Sequence, residues 1–141
     1  MCIRDSCRRL SKSLLQLVDI ITPNEFELAE LTGMPVKTKR NIECAGEKLF
    51  QTGVGEVIVT CGERGVCHLS SDGANWFSAP KVKAIDTVGA GDCFNGSLAS
   101  ALSSDLGMAE AIRFAVSTSA RAVTIHGVQS SFPELKPSNC Y

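Results

Sequence analysis

Two short runs rich in β-branched residues, Val18 to Thr22 and Glu56 to Thr60, limit this chain more than any other feature. Each has the length and composition of a buried strand, and Pro23 stops the first at once. Helical patterns fill the interval between them. A strand that returns after a helix enters its sheet parallel to the strand before it, by a right-handed crossover. The expected class is therefore α/β with a parallel pair at its centre.

The flanking segments extend this reading. Asn24 can cap a helix "EFELAELTG", with Glu25 and Glu27 in its first turn, Leu28 and Leu31 inward and Gly33 as stop. A second helix is expected from Thr38 to about Thr52, with Ile42, Ala45, Leu49 and Phe50 inward. "GERG" reads as a turn. Val66 to Ser70 and Asn75 to Ala79 read as a hairpin around Ser71, Asp72 and Gly73. A loop from Pro80 to Gly89 then leads to helices at Ala90 to Leu102 and Met108 to about Thr124. Ahead of all this, a polar, basic start passes abruptly into a helical pattern at Leu10, Leu14, Leu15 and Leu17, as though the chain were entered in mid-fold.

With 141 residues, 44% hydrophobic and 21% charged, the chain has the size and balance of one globular domain. A net charge of -1 gives no basic field, so nucleic-acid and anionic-membrane binding are not expected. No apolar run approaches the roughly 20 residues that cross a bilayer. The seven cysteines include no CxxC pair, and they read as reduced thiols, mostly small buried hydrophobes, in a cytoplasmic setting. Neither His68 nor His126 has a partner at ligand spacing.

Chemistry concentrates in "DTVGAGDCFNG", Asp86 to Gly96. Backbone N–H groups of Gly89, Ala90 and Gly91, at the start of a helix, can converge on an anion, phosphate above all. Such a turn is also met as a turn and nothing more. The Walker pattern is absent, and Phe94 stands where a dinucleotide GxGxxG would need glycine. Asp92 could take the proton of a substrate hydroxyl as it attacks a phosphoryl group. It could equally serve as an N-terminal helix residue, which its spacing alone favours.

"DTVGAGDCFNGSLASAL" resembles the C-terminal signature of the ribokinase/PfkB family of carbohydrate kinases. "TPNEFELAELTG", "VIVTCGERGV" and "AVTIHGVQSSFP" resemble further family segments, in family order, so the likeness runs from about Leu14 to Pro133. It implies the C-terminal part of a ribokinase-like three-layer α/β/α fold, with a mostly parallel sheet and a β-hairpin. It implies ATP-dependent phosphorylation of a sugar hydroxyl, ribose first, with fructose or adenosine as alternatives.

The resemblance further implies Asp92 as the general base and Gly89, Ala90 and Gly91 as an anion hole. Asn24 and Glu27 would place Mg²⁺ and the ATP phosphates, Glu27 through water, and Thr60, Gly62 and Gly65 would line the nucleotide groove. Asp86, the Val88 carbonyl, Val123, Gly127 and Ser131 would hold a monovalent cation, K⁺. Family members are about twice this length. The N-terminal half that brings most sugar contacts and a lid, often a homodimer surface, is then missing. On this view residues 1 to 13 are a non-native leader, residues 14 to 135 the kinase portion and 136 to 141 a tail. The competing expectation is a nucleotide-binding fragment without catalysis.

Overall fold

The computed structural model describes residues 10 to 124, and the chain divides into two compact units, Met1–Phe77 and Ser78–Tyr141. In the first unit a one-turn helix α1 (Lys12–Leu15) precedes strand β1 (Ile20–Ile21), helix α2 (Glu25–Thr32) and helix α3 (Lys39–Phe50). Strand β2 (Glu56–Thr60), a 3-10 turn (Gly62–Arg64), and strands β3 (Val66–Ser70) and β4 (Gly73–Phe77) follow. The strand order is β1-β2-β3-β4.

β1 and β2 pair in parallel, Ile20 opposite Glu56 and Ile21 opposite Val57, as the intervening helices require. The next two pairings, β2 with β3 and β3 with β4, are antiparallel. Among the described strands the sheet is thus mixed, and its parallel part is the β1–β2 pair. The reason is chain length between strands. Only a short turn separates β2 from β3 and two residues separate β3 from β4, too few for a crossover.

Helix starts follow local chemistry. Asn24 and Thr38 each form a capping box with the third helical residue, Glu27 and Asn41. Gly33 ends α2 in the left-handed conformation, at φ 67°. The core of this unit lies where α2 and α3 cover one face of the sheet: Leu28, Ile42, Ala45, Leu49, Val57, Val59, Cys67 and Leu69 pack together with Leu15 and Val54. Each large aliphatic chain buried there contributes about 1.5–3 kcal/mol. Ile58, one residue out of phase with Val57 and Val59, is also fully buried, on the opposite face with His68 across from it.

The second unit is a helix pair, α4 (Ala90–Ser103) and α5 (Met108–Ala122), with Asp105 in the left-handed region at the bend. Cys93, Phe94, Ser97, Leu98 and Ala101 form the buried stripe of α4, and Ala111, Ile112, Ala115, Val116, Thr118 and Ala122 that of α5. Among the described residues no helix is long and apolar enough to cross a membrane.

Candidate functional site

In the first unit the candidate residues gather at the C-terminal ends of the parallel strands. The Thr60 N–H donates to the Pro23 carbonyl at 3.0 Å, and Asn24 and Thr60 form an isolated parallel bridge. The start of α2 therefore stands beside the end of β2. This is the position at which open α/β sheets take ligands. The Glu27 N–H donates to Asn24 Oδ1 at 3.0 Å, and the Asn24 N–H donates to Glu27 Oε2 at 2.9 Å. The two residues expected to act on metal and phosphate thus first hold each other.

Beyond Thr60 the chain turns sharply. Gly62 at φ 54° and Gly65 at φ 92° adopt backbone that other residues rarely reach, which accounts for both glycines of "GERG". The Gly65 N–H donates to the Gly62 carbonyl at 3.0 Å, and the Cys61 N–H donates to the Gly65 carbonyl at 2.8 Å.

Sequence reasoning read this segment as a turn, with Gly62 and Gly65 toward a nucleotide, and missed Arg64. Its guanidinium forms an ion pair with Glu25 in the first turn of α2, and its Nη1 donates to the Lys37 carbonyl at 3.0 Å. No local signal announces these contacts, because Lys37 lies 27 residues away in sequence.

In the second unit Gly89, at φ 80°, ends the loop and caps α4 without a side chain. The Cys93 N–H donates to the Gly89 carbonyl at 2.9 Å, so the N–H groups of Gly91 and Asp92 lie ahead of the intrahelical ladder. Asp92 is exposed in the first turn. A Cβ built on Gly91 would meet nothing within 4 Å, so packing does not demand glycine there. What a side chain would obstruct is approach to the backbone.

Asp86 folds back on its own loop, Oδ1 accepting from the Val88 N–H at 2.9 Å. The Val123 carbonyl accepts from the N–H groups of Ile85 at 2.7 Å and Asp86 at 3.1 Å. Asp86 is therefore tied both to Val88 and to Val123, and both lone pairs of the Val123 oxygen are already engaged. Gly127, Ser131 and His126 lie outside the described residues.

The thiols behave as core residues. Burial pushes Cys61 up to about 12, with Cys67 nearby adding to it, and pushes Cys67 up to about 12, with Glu43 adding. Cys93 is also raised by burial, against the pull of a hydrogen bond with Ser97. His68 is buried against Glu56, Nε2 to Oε2 2.6 Å, which engages one of its two ring nitrogens. Among the described residues no group of three or more His, Cys, Asp or Glu could hold a metal ion by itself.

A family model described as pfkB family carbohydrate kinase matches residues 2–135. The chain is similar to a deoxyribokinase of Salmonella typhi, 39% identical over 95% of this chain and 44% of that protein. It is similar to a ribokinase of Haemophilus influenzae, 40% identical over 88% of the chain and 40% of the relative. Among solved structures, Arabidopsis thaliana ribokinase complexed with ribose and ATP superposes with a TM-score of 0.81 at 34% identity, covering 87% of this chain and 40% of that one. The chain thus spans less than half the length of the proteins it matches.

Proposed function

Because the chain belongs to the pfkB family of carbohydrate kinases, we propose that it contributes the phosphoryl-transfer machinery of an ATP-dependent sugar kinase, acting on ribose. The observation that carries this reading is the start of α4. A left-handed Gly89, first-turn N–H groups ahead of the helical ladder, open space at Gly91 and an exposed Asp92 form a donor-lined loop with a base beside it. Phosphoryl transfer asks for little more than positioning, charge stabilisation and one proton acceptor.

In this reading Asp92 accepts the proton of the attacking sugar hydroxyl, and the N–H groups at Gly89 and Gly91, with that of Ala90 once it leaves its long 3.3 Å bond to the Thr87 carbonyl, hold the charge spreading over the phosphoryl oxygens. Thr60, Gly62 and Gly65 border the nucleotide, where glycine leaves the backbone open to close approach. Mg²⁺ is commonly held by one or two carboxylates together with substrate phosphates, with water completing its shell. Glu27, with Oε2 in the capping box, would hold it through water beside Asn24. When bound, the ion neutralises phosphate charge. Asp86 and the Val88 carbonyl offer the hard oxygens that K⁺ takes, and a cation held there would supply fixed positive charge.

Ribose is preferred over other sugars for the likeness of "TPNEFELAELTG" and "GVQSSFP" to ribokinase segments, while the deoxyribokinase match makes 2-deoxyribose the competing substrate. A second reading is nucleotide binding without turnover by the 141-residue chain, which spans 40–44% of these relatives. ADP release with ATP, Mg²⁺ and either pentose separates these readings. Turnover that falls by about 10²- to 10⁴-fold in Asp92→Asn supports the kinase. Nucleotide binding with no sugar-dependent ADP release supports the second reading, and equal rates in Asp92→Asn would remove the base.

A further inference from the structure

Arg64 joins three segments that are far apart in sequence. It stands in the turn after β2, pairs with Glu25 one residue past the Asn24 cap, and donates to the Lys37 carbonyl just before the Thr38 cap of α3. Glu25 Oε1, the atom it meets, is buried, whereas the guanidinium is itself about one-third exposed. A half-exposed ion pair adds little to folding stability, because solvent screens it and ordering a long side chain costs entropy. What the forked guanidinium does provide is geometry, since it engages two acceptors at once in a fixed plane.

The turn it sits in needs such a tie. Gly62 and Gly65 both have positive φ, and a Cβ at Gly62 would touch nothing, so that although Cys61 and Val66 bury the foot of the turn, no packing reaches Gly62 at its corner. The backbone link from Thr60 to Pro23 holds the base of the turn. Arg64 holds its tip.

We infer that Arg64 is a positioning residue, which locks the Gly62–Gly65 turn against the Asn24–Glu27 capping box and so keeps the phosphate-side surface of the first unit preformed for a nucleoside triphosphate. The inference rests on the nucleotide role proposed above for that surface. A preformed site binds more tightly because it does not lose order on binding. Removal of the tie therefore acts on affinity rather than on folding.

The test titrates the 141-residue chain with trinitrophenyl-ATP in Mg²⁺ and records thermal unfolding of the same samples. Arg64→Ala weakens binding on the order of tenfold while the melting temperature stays close to that of the parent chain. Arg64→Lys, which keeps the charge and loses the fork, falls between the two. Glu25→Gln breaks the ion pair from the other side, weakens binding in the same direction, and adds little to Arg64→Ala because the two share one contact. Should Arg64→Ala not fold, Glu25→Gln carries the result. Trp76→Phe removes the 2.7 Å bond from Trp76 to Glu43, which shares no residue with the tie, and leaves affinity unchanged. Equal affinity in the parent chain, Arg64→Ala and Glu25→Gln overturns the role of Arg64 alone, as does a loss in Trp76→Phe that matches theirs. No binding by the parent chain overturns the nucleotide reading together with it.

Discussion

Gly91 and Gly46 are both helical glycines, yet a methyl group at each has opposite consequences. A Cβ at Gly46 would lie 2.5 Å and 2.9 Å from the two Leu69 methyl carbons, in a core where Leu69 is 2% exposed. Gly46→Ala is expected to cost about 1–3 kcal/mol through overpacking, more than the gain of about 1 kcal/mol in helix propensity. Gly91→Ala meets open space and is expected to stabilise α4 by roughly 0.5–1 kcal/mol while it weakens nucleotide binding. Gly96→Ala, also in open space, should stabilise without touching affinity. Urea unfolding of the three variants beside a nucleotide titration checks the pattern. A Gly91→Ala protein that gains stability and binds undiminished would show that glycine there has nothing to do with a ligand. The sequence shows only three glycines in helical patterns, and which neighbour each meets is settled by packing.

At the level of elements, what is local was legible and what depends on a partner was less so. The cap at Asn24 and the stop at Gly33 lie where the residue types place them, and Thr38, expected as the first helical residue, proves to be the cap of α3, because each is decided within four residues. Thr38→Ala removes the acceptor of the 3.1 Å bond from the Asn41 N–H and should cost about 1 kcal/mol, read as a lower urea midpoint with an unchanged slope. A cost near zero would mean that Arg64 at Lys37, not the cap, fixes the start of α3. The expected strand from Val18 to Thr22 shrinks to Ile20–Ile21, since only those residues pair in register with β2. The second hairpin strand begins at Gly73 rather than Asn75. Ser70 pairs with Gly73 across a two-residue turn, and Gly73 at φ 101° can start the strand at once. Hairpin register is set by the turn, and glycine read as turn residue hid that here.

Across the whole chain, the contiguous candidate segments, from Asp86 to Asp92 and from Asn24 to Glu27, stood out in the sequence because motif and local backbone geometry coincide there, while the roles proposed for them come from the family likeness. The tie made by Arg64 could not, since it exists only once β2 and α2 are side by side. The same holds for the thiols, whose composition suggested burial but whose titration depends on the folded surroundings. Cys61 and Cys67 keep their protons up to about 12 when folded, whereas in the unfolded chain they titrate near their ordinary 9.0. Both folded values are raised, so the stability they contribute is fully present below pH 9 and is lost as pH rises toward 12, where unfolding releases protons. At about pH 10 each thiol should favour the unfolded state by roughly 1 kcal/mol relative to neutral pH. Every other group is common to both proteins when the comparison is between the parent chain and Cys67→Ala. Although the variant starts less stable, its urea midpoint should fall less steeply between about pH 8 and pH 10.5. Parallel slopes in the two proteins would mean that Cys67 ionises in the folded state as readily as in water, and that the core formed by α3 and the sheet admits solvent at that position.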